Sequence, residues 1–381
     1  MRKANRIEHL NGLSILKNPK IMVAGLFIVL AVYSCTSLVH TDDKTVKPRF
    51  ILDIRTDTDL KPYAEYYPWR EAYNGENRKV EDYGNGIYKI ASRPDKGFNY
   101  EYYLFIPQTC DISKSHRLLL TTITTGYVDQ PESMYSFYAL QAMKNKNWEA
   151  KIAEKIGCPL VYPVIPDFSG VATLCFSRKA MTAVEEKYSR LDLQLVAMIE
   201  DAKSYLQEEL NYSIKEKIFV CGFSGSGEVA KLFTAMYPEK VQAAVYGGIS
   251  AVPILPFSMD TKRNYELNYP IGVADMARIT GHQFDINSYL QVRQLIYDGD
   301  KDPIDLTIKH KFIYSEADQN WIYTVMGEDK TKRWNAYVAL LAETCKNIQM
   351  VRYSDFAHKV SIIDSADFLK NNDEGDFRPV N

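Results

Sequence analysis

The sequence predicts an α/β fold: a mostly parallel, eight-stranded sheet flanked by helices. From about residue 83 onward, short apolar segments of strand length alternate with longer amphipathic ones, which is the pattern of successive βαβ units. One junction joins a buried strand to a helix through a turn rich in glycine. The chain of 381 residues is 46% hydrophobic, which is enough apolar material for one large core.

Eight segments are predicted to be strands because they are short, apolar and bounded by turn residues. They are 86–92, 100–106, 117–123, 159–164, 217–222, 241–247, 292–298 and 347–353. The first two follow each other without a helix, which predicts an antiparallel edge. Helices are predicted over 148–156, 190–210, 227–236 and 334–341.

Residues 1–34 are predicted to be a lipoprotein signal peptide. Five basic residues precede an apolar run, 21–32, that is too short to span a bilayer. Ser34-Cys35 follows the run, and a small residue directly before a cysteine resembles the bacterial lipobox. That resemblance implies cleavage before Cys35 and a lipid on its sulfur, so the protein would be exported and anchored at the periplasmic face or the cell surface. The alternative is an uncleaved anchor helix in which Cys35 is incidental.

The rest of the chain is predicted to divide into two parts. Residues 35–82 read as a polar tether and an N-terminal extension, and residues 83–381 as the main domain. Within that domain, residues 251–290 are an insertion between two core strands. Such an insertion can cover the carboxyl edge of the sheet as a cap, where open α/β sheets bind their ligands.

Charge and cysteine spacing exclude several classes of protein. The formal net charge is −2, whereas a nucleic-acid-binding domain should be clearly basic. No C-x-x-C pair is present, so no zinc or redox motif is predicted.

Residues 222–227, Gly-Phe-Ser-Gly-Ser-Gly, follow a predicted strand and open a helix. That is the context of a nucleophile elbow, in which a strained turn lifts a serine hydroxyl off the sheet. Ser224 is therefore the candidate nucleophile, and the backbone N–H of Gly225 is the candidate first donor to an oxyanion. The G-x-S-x-G pattern would place glycine where this chain has Ser226. The alternative is a glycine-rich turn without chemistry.

A serine nucleophile needs a base, and His358 is the candidate. It alone among six histidines follows the last predicted strand, where this architecture holds its base. The others are His9, His40, His116, His282 and His310.

The acid that orients the base is expected between Ser224 and His358, after a core strand. Residues 298–305 contain four aspartates there. Asp302 is the first candidate because it lies a turn beyond the strand end. The alternatives are Asp298, Asp300 and Asp305.

The same aspartates have the Asp-x-Asp-x-Asp spacing of a calcium-binding loop. Such a loop requires glycine at its sixth position and glutamate at its twelfth. Those positions hold Pro303 and Lys309, so no metal site is predicted.

A second oxyanion donor is expected from the loop after the third predicted strand. No His-Gly-Gly stretch is present there. The backbone N–H groups of Gly126 and Tyr127 are therefore both candidates.

The strand order, the elbow at 222–227, the segment 299–302 (Gly-Asp-Lys-Asp) and the late His358 together resemble the α/β-hydrolase superfamily. The resemblance covers most of the chain after the N-terminal extension. It implies the α/β-hydrolase fold and a catalytic triad of Ser224, Asp302 and His358.

Two further segments look like an esterase-like branch of bacterial lipoproteins in this superfamily. They are 190–194 (Arg-Leu-Asp-Leu-Gln) and 269–275 (Tyr-Pro-Ile-Gly-Val-Ala-Asp). The resemblance implies ester hydrolysis through an acyl-enzyme on Ser224, a reaction that needs no metal or organic cofactor. It does not name a substrate; the predicted export alone suggests a small-molecule or polymer-borne ester. The alternatives are a serine peptidase of the same fold and a catalytically silent scaffold that binds a ligand.

Overall fold

Strands and helices alternate along the part of the chain that the computed structural model describes. The described residues are 50–52, 78–122, 129–167, 176–183, 188–250, 252, 254–305, 313–342 and 344–380. The strands are β1 (Phe50–Leu52), β2 (Val80–Asp82), β3 (Ile87–Ile90), β4 (Tyr102–Phe105), β5 (Ser115–His116), β6 (Leu119–Leu120), β7 (Leu160–Pro163), β8 (Ser213–Ile214), β9 (Ile218–Phe223), β10 (Val241–Gly247), β11 (Phe257–Asp260), β12 (Tyr265–Glu266), β13 (Arg293–Gly299) and β14 (Ile348–Tyr353). The α-helices are α1 (Glu132–Lys144), α2 (Trp148–Ile156), α3 (Arg178–Met181), α4 (Leu191–Glu208), α5 (Gly225–Met236), α6 (Met276–Thr280), α7 (Ile286–Tyr289), α8 (Glu316–Met326), α9 (Lys330–Ala342) and α10 (Ile362–Asn371).

Nine of these strands form one mixed sheet in the order β14-β13-β10-β9-β6-β7-β4-β3-β2. Neighbours from β14 to β7 are parallel, and neighbours from β7 to β2 are antiparallel. Parallel neighbours need crossover connections, and the helices supply them. This largely parallel sheet with a short antiparallel edge has the α/β-hydrolase fold, as the sequence predicts.

The sheet has nine strands in the described residues, whereas the sequence predicts eight. All eight predicted strands are present, although β6 is shorter than expected, and residue 123 lies outside the described residues. The additional strand is Val80–Asp82, which falls in the segment interpreted as an N-terminal extension. Glu81 and Asp82 are exposed at the sheet edge, so the strand lacks the apolar pattern that marks a buried one.

The central strands are apolar because both faces of the sheet are covered. In β9, all residues except Phe223 are buried, and in β10 all except Gln242 are buried. Continuous apolar runs of this kind are typical of parallel strands between two helical layers. Ser224, Asp302 and His358 follow the carboxyl ends of β9, β13 and β14, respectively.

The insertion at 251–290 contains β11, β12, α6 and α7. Its hairpin of β11 and β12 forms a separate three-stranded sheet with β1, which pairs antiparallel to β11. The described start of the N-terminal extension therefore lies on the insertion and not on the main sheet.

Two arginines tie the insertion to the core through main-chain carbonyl groups. Arg178 Nη2 donates to the carbonyl of Tyr269 at 2.8 Å. Arg190 Nη2 donates to the carbonyl of Thr280 at 2.7 Å, and a fully buried Asp192 holds the same guanidinium. Charge-assisted hydrogen bonds to main-chain groups hold position well, so these contacts fix the insertion at two points.

The two segments that resemble esterase-like hydrolases have structural roles here. Segment 190–194 supplies the Arg190–Asp192 pair, and Asp192 also accepts from the Tyr237 hydroxyl. In segment 269–275, Asp275 Oδ1 accepts from the main-chain N–H of Tyr269 at 2.8 Å, closing the loop on itself.

Among the described residues, no helix combines the length and the apolar character that crossing a bilayer requires. Cys35 and the predicted signal peptide lie outside the described residues.

Candidate active site

Ser224 lies in a sharp turn between the end of β9 and the start of α5. Its backbone has φ 58° and ψ −125°, a conformation that is unusual for a residue with a side chain. The main-chain N–H of Ser224 donates to the carbonyl of Gly247 on β10 at 2.9 Å, which holds the turn against the neighbouring strand. Strain of this kind persists where the surrounding structure enforces it, and it often marks functional sites.

Two glycines allow the turn to close. A Cβ atom on Gly222 would lie 2.1 Å from the carbonyl oxygen of Ser226. A Cβ atom on Gly227 would lie 2.8 Å from the carbonyl oxygen of Gly247. Both contacts are with main-chain atoms that have no freedom to move aside, so glycine is required at both positions. In the G-x-S-x-G pattern, the glycine at position 226 would let the helix approach the strand closely. Here Gly227 allows that approach instead.

Ser226 has a structural role that glycine would not fill. Its hydroxyl accepts from the main-chain N–H of Phe223 and donates to the carbonyl of the same residue, both at 2.9 Å. The side chain is 1% exposed. The departure from the G-x-S-x-G pattern thus adds two hydrogen bonds that fix the backbone directly before Ser224.

We expect Ser226→Ala to lower the free energy of unfolding by about 1–3 kcal/mol, because the partly buried main-chain N–H of Phe223 would lose this acceptor. Ser226→Gly, which would restore the sequence pattern, is expected to be no more stable than Ser226→Ala. Urea unfolding monitored by circular dichroism measures both. Ser213→Ala is the control: that serine is exposed, and its loss should cost less than about 0.5 kcal/mol. Equal stability of Ser226→Ala and the parent would show that these two hydrogen bonds contribute nothing.

His358 lies beside the elbow. It follows β14 in the chain, and its ring centroid is 4.5 Å from that of Phe223. A Cβ atom on Gly248 would lie 3.1 Å from His358 Cε1, so the imidazole packs between the elbow and the end of β10. Among the described residues, no hydrogen bond joins Ser224 Oγ to His358. Such bonds are often long in unliganded enzymes and shorten when substrate binds.

Asp302 is the aspartate that contacts His358. His358 Nδ1 lies 2.9 Å from Asp302 Oδ2, and the main-chain N–H of Ile304 donates to Oδ1 at 2.9 Å. Burial opposes ionisation of this carboxyl, but the hydrogen bonds from His358 and Ile304 and the nearby Lys330 ammonium outweigh burial and lower the pKa to about 2. Asp302 is therefore a carboxylate at any pH at which His358 could act as a base.

The three alternative aspartates have other partners. Asp298 forms an ion pair with Lys330, and Asp305 forms one with Arg333. Asp300 is exposed and accepts from the main-chain N–H of Phe356 at 3.3 Å. Only Asp302 of the four contacts the imidazole. Within the described part of the chain, no group of three or more histidine, cysteine or acidic side chains is arranged to hold a metal ion.

The N–H of Gly225 opens α5, where the first N–H groups of a helix have no acceptor within the helix. Its position after Ser224 is that of an oxyanion donor, and the helix dipole favours negative charge at the same place. The candidates for the second donor, Gly126 and Tyr127, lie outside the described residues.

Two residues at this site have no role in the sequence-based interpretation. Ser226 stood out only as a departure from a pattern, and its hydrogen bonds to Phe223 could not be inferred from that. Lys330 lies 28 residues after Asp302 in the sequence and carries no motif, yet its Nζ is 3.0 Å from Asp302 Oδ2. Only the packing of α9 against the loop after β13 reveals it.

The chain is similar in structure to several solved hydrolases. Poly(aspartic acid) hydrolase-1 from Sphingomonas sp. KT-1 is 12% identical with a TM-score of 0.46, over 77% of this chain and 96% of that one. The poly(3-hydroxybutyrate) depolymerase LpqC from Bordetella parapertussis is 12% identical with a TM-score of 0.44, over 76% and 87%. An acetyl xylan esterase from Aspergillus awamori is 16% identical with a TM-score of 0.38, over 77% and 98%. No family model and no curated protein matches the sequence.

The sheet topology and the strained serine between β9 and α5 define this chain as a protein of the α/β-hydrolase fold. At the carboxyl edge of its sheet it brings together Ser224, His358 and Asp302.

Proposed function

We propose that the protein is a serine hydrolase that cleaves carboxylic esters through an acyl-enzyme on Ser224. The observation that carries the proposal is the contact of His358 Nδ1 with Asp302 Oδ2, in an imidazole that packs against the elbow holding Ser224. A nucleophile, a base beside it and an acid that orients the base form the arrangement that acyl transfer needs.

In the first half of the reaction, Ser224 Oγ attacks the carbonyl carbon of the ester while His358 Nε2 accepts the hydroxyl proton. The carbonyl oxygen becomes an oxyanion, which the N–H of Gly225 stabilises. Asp302 keeps the proton of the imidazole on Nδ1 and stabilises the imidazolium that forms. Collapse of the intermediate breaks the bond to the alcohol, which leaves with the proton from His358.

In the second half, water attacks the acyl carbon of the ester on Ser224. His358 takes one proton from this water and returns it to Ser224 Oγ as the carboxylic acid leaves. The balance is one ester and one water consumed, and one alcohol and one acid released. These steps need no group beyond the chain's own residues and water.

The substrate class follows from the proposed location. We infer that a lipid on Cys35 holds the exported protein at a bacterial membrane, where it would meet small-molecule or polymer-borne esters. A serine peptidase of the same fold and a silent scaffold are the alternatives, and the same experiment separates them.

The test is hydrolysis of p-nitrophenyl esters, from acetate to decanoate, by the detergent-solubilised chain, together with labelling by a fluorophosphonate. Ester turnover and a mass adduct on the peptide that contains Ser224 are expected. An adduct with cleavage of peptides but of no ester would replace the proposal by the peptidase. Absence of both turnover and adduct would leave the silent scaffold.

A further inference from the structure

Lys330 connects two carboxylates at the candidate site. Its Nζ lies 2.9 Å from Asp298 Oδ1 and 3.0 Å from Asp302 Oδ2. The Asp302 oxygen that it contacts is the one that contacts His358 Nδ1. All three side chains are largely buried: those of Asp298, Asp302 and Lys330 are 2%, 1% and 12% exposed. At this burial, an ion pair is screened little by solvent.

Stability of its own helix does not explain the position of Lys330. Lys330 begins α9, whose first turn also carries Lys332 and Arg333. The acid at this end is Asp329, directly before Lys330, which accepts from the main-chain N–H of Lys332 at 2.8 Å. Cations at a helix N-terminus oppose the helix dipole, where acids are the favoured residues. Two of these cations instead reach the loop after β13, since Lys330 contacts Asp302 and Arg333 contacts Asp305. The positive charges at this end of α9 thus form ion pairs with the loop that carries Asp302.

The charged groups around this cluster come from five parts of the fold. They are Asp298 from β13, Asp302 and Asp305 from the following loop, Arg333 from α9, Arg352 from β14, and His358 from the loop after β14. Arg352 lies opposite Asp298 in the parallel pairing of β13 and β14. Burial raises the pKa of Asp298, and Lys330 opposes that rise. Without Lys330, no ammonium would bridge the carboxylates of Asp298 and Asp302.

We propose that Lys330 is a positioning residue of the active site: its ammonium bridges Asp298 and Asp302 and holds Asp302 aligned with His358. The proposal rests on the proposed function, because alignment of His358 matters only if it acts as a base. The bridge also limits the net negative charge beside the imidazole. Lys330 thereby offsets part of the attraction that the two carboxylates would exert on a proton at the imidazole.

The first test is the pH profile of kcat/KM for p-nitrophenyl acetate in Lys330→Met. Removal of the cation favours the imidazolium, so the acid limb of the profile should move to higher pH by about half a unit or more. At neutral pH kcat should fall about 10- to 100-fold with little change in KM, because the substitution disturbs the alignment of the base. Lys330→Arg keeps the charge and should leave the limb within about 0.2 of a pH unit of the parent.

Two further variants distinguish positioning from general stabilisation. Lys332→Met makes the same substitution on the same helix at a 73% exposed residue, and should match the parent in rate and profile. Asp298→Asn removes a negative charge and should move the acid limb to lower pH, opposite to Lys330→Met. An acid limb that does not move in folded Lys330→Met would overturn the proposal, and so would an equal shift in Lys332→Met.

A measurement without turnover separates failure of this proposal from failure of the proposed function. In the Ser224→Ala background, the His358 ring resonances are followed by NMR as pH is varied. Their titration midpoint should move to higher pH when Lys330→Met is added. A shifted midpoint in a protein that cleaves no ester would uphold the bridge and reject the esterase, whereas an unshifted midpoint would reject the bridge. If Lys330→Met does not fold, Asp298→Asn provides the same test with the opposite sign.

Discussion

Ser224→Ala is expected to reduce kcat for p-nitrophenyl esters by a factor on the order of 10⁴–10⁶, with KM nearly unchanged. In the proposed mechanism, alanine removes the atom that would form the acyl-enzyme and leaves the candidate oxyanion donor, the N–H of Gly225, in place. Among the described residues, Ser224 Oγ makes no hydrogen bond to His358, so the fold loses no contact of that kind. The variant should therefore unfold at the same urea concentration as the parent.

Initial rates at saturating substrate and intact mass after fluorophosphonate treatment measure this effect. Ser213→Ala is the matched control, because it removes a hydroxyl from an exposed strand, β8, and should retain full activity and labelling. Activity of Ser224→Ala above a few per cent of the parent would contradict the assignment. Labelling of a serine elsewhere in that variant would place the nucleophile outside the elbow.

The local features of the fold and site were predictable from sequence. The elbow is one continuous segment. An apolar strand comes directly before its small residues and a helix directly after them, so residue type and secondary-structure pattern predict the same turn. Strands β9, β10 and β13 are buried at nearly every position and carry apolar runs, whereas β14, at the sheet edge, is half-buried at every position and carries the shorter run Met350-Val351. Strand β2 was missed because an edge strand with two exposed acids has no such pattern.

The choice among the four candidate aspartates, and the partners of each, could be read only from the tertiary structure. Four aspartates within 298–305 have similar chemistry, and chain order could rank them but could not show which one meets His358. The partners that separate them, Lys330 and Arg333, come from a helix whose sequence contains no site motif. An ion pair between residues far apart in the sequence leaves no pattern in either segment. It depends on how the two segments pack in the folded protein, which neither segment reveals alone.

Asp302→Asn is expected to lower kcat by about 10⁴-fold, the second largest effect of any substitution considered. An amide at this position can present its NH₂ group to His358 Nδ1, which would move the imidazole proton to Nε2 and leave no lone pair there to accept the proton of Ser224. Because the pKa of Asp302 is about 2, the acid is fully ionised throughout the working range. Titration of Asp302 itself therefore adds no pH dependence between about pH 5 and pH 9, and a large loss should persist across that range.

The control is Asp300→Asn, two residues earlier in the same loop. Asp300 is exposed and accepts from the main-chain N–H of Phe356, so its loss should change kcat by less than about threefold. The rate of fluorophosphonate labelling gives an independent readout, since it depends on activation of Ser224 and not on release of product. A mild effect of Asp302→Asn together with a loss of about 10⁴ in Asp298→Asn would transfer the orienting role to Asp298. That outcome would also require Asp298 to leave Lys330 and reach His358, a movement that the buried ion pair at 2.9 Å opposes.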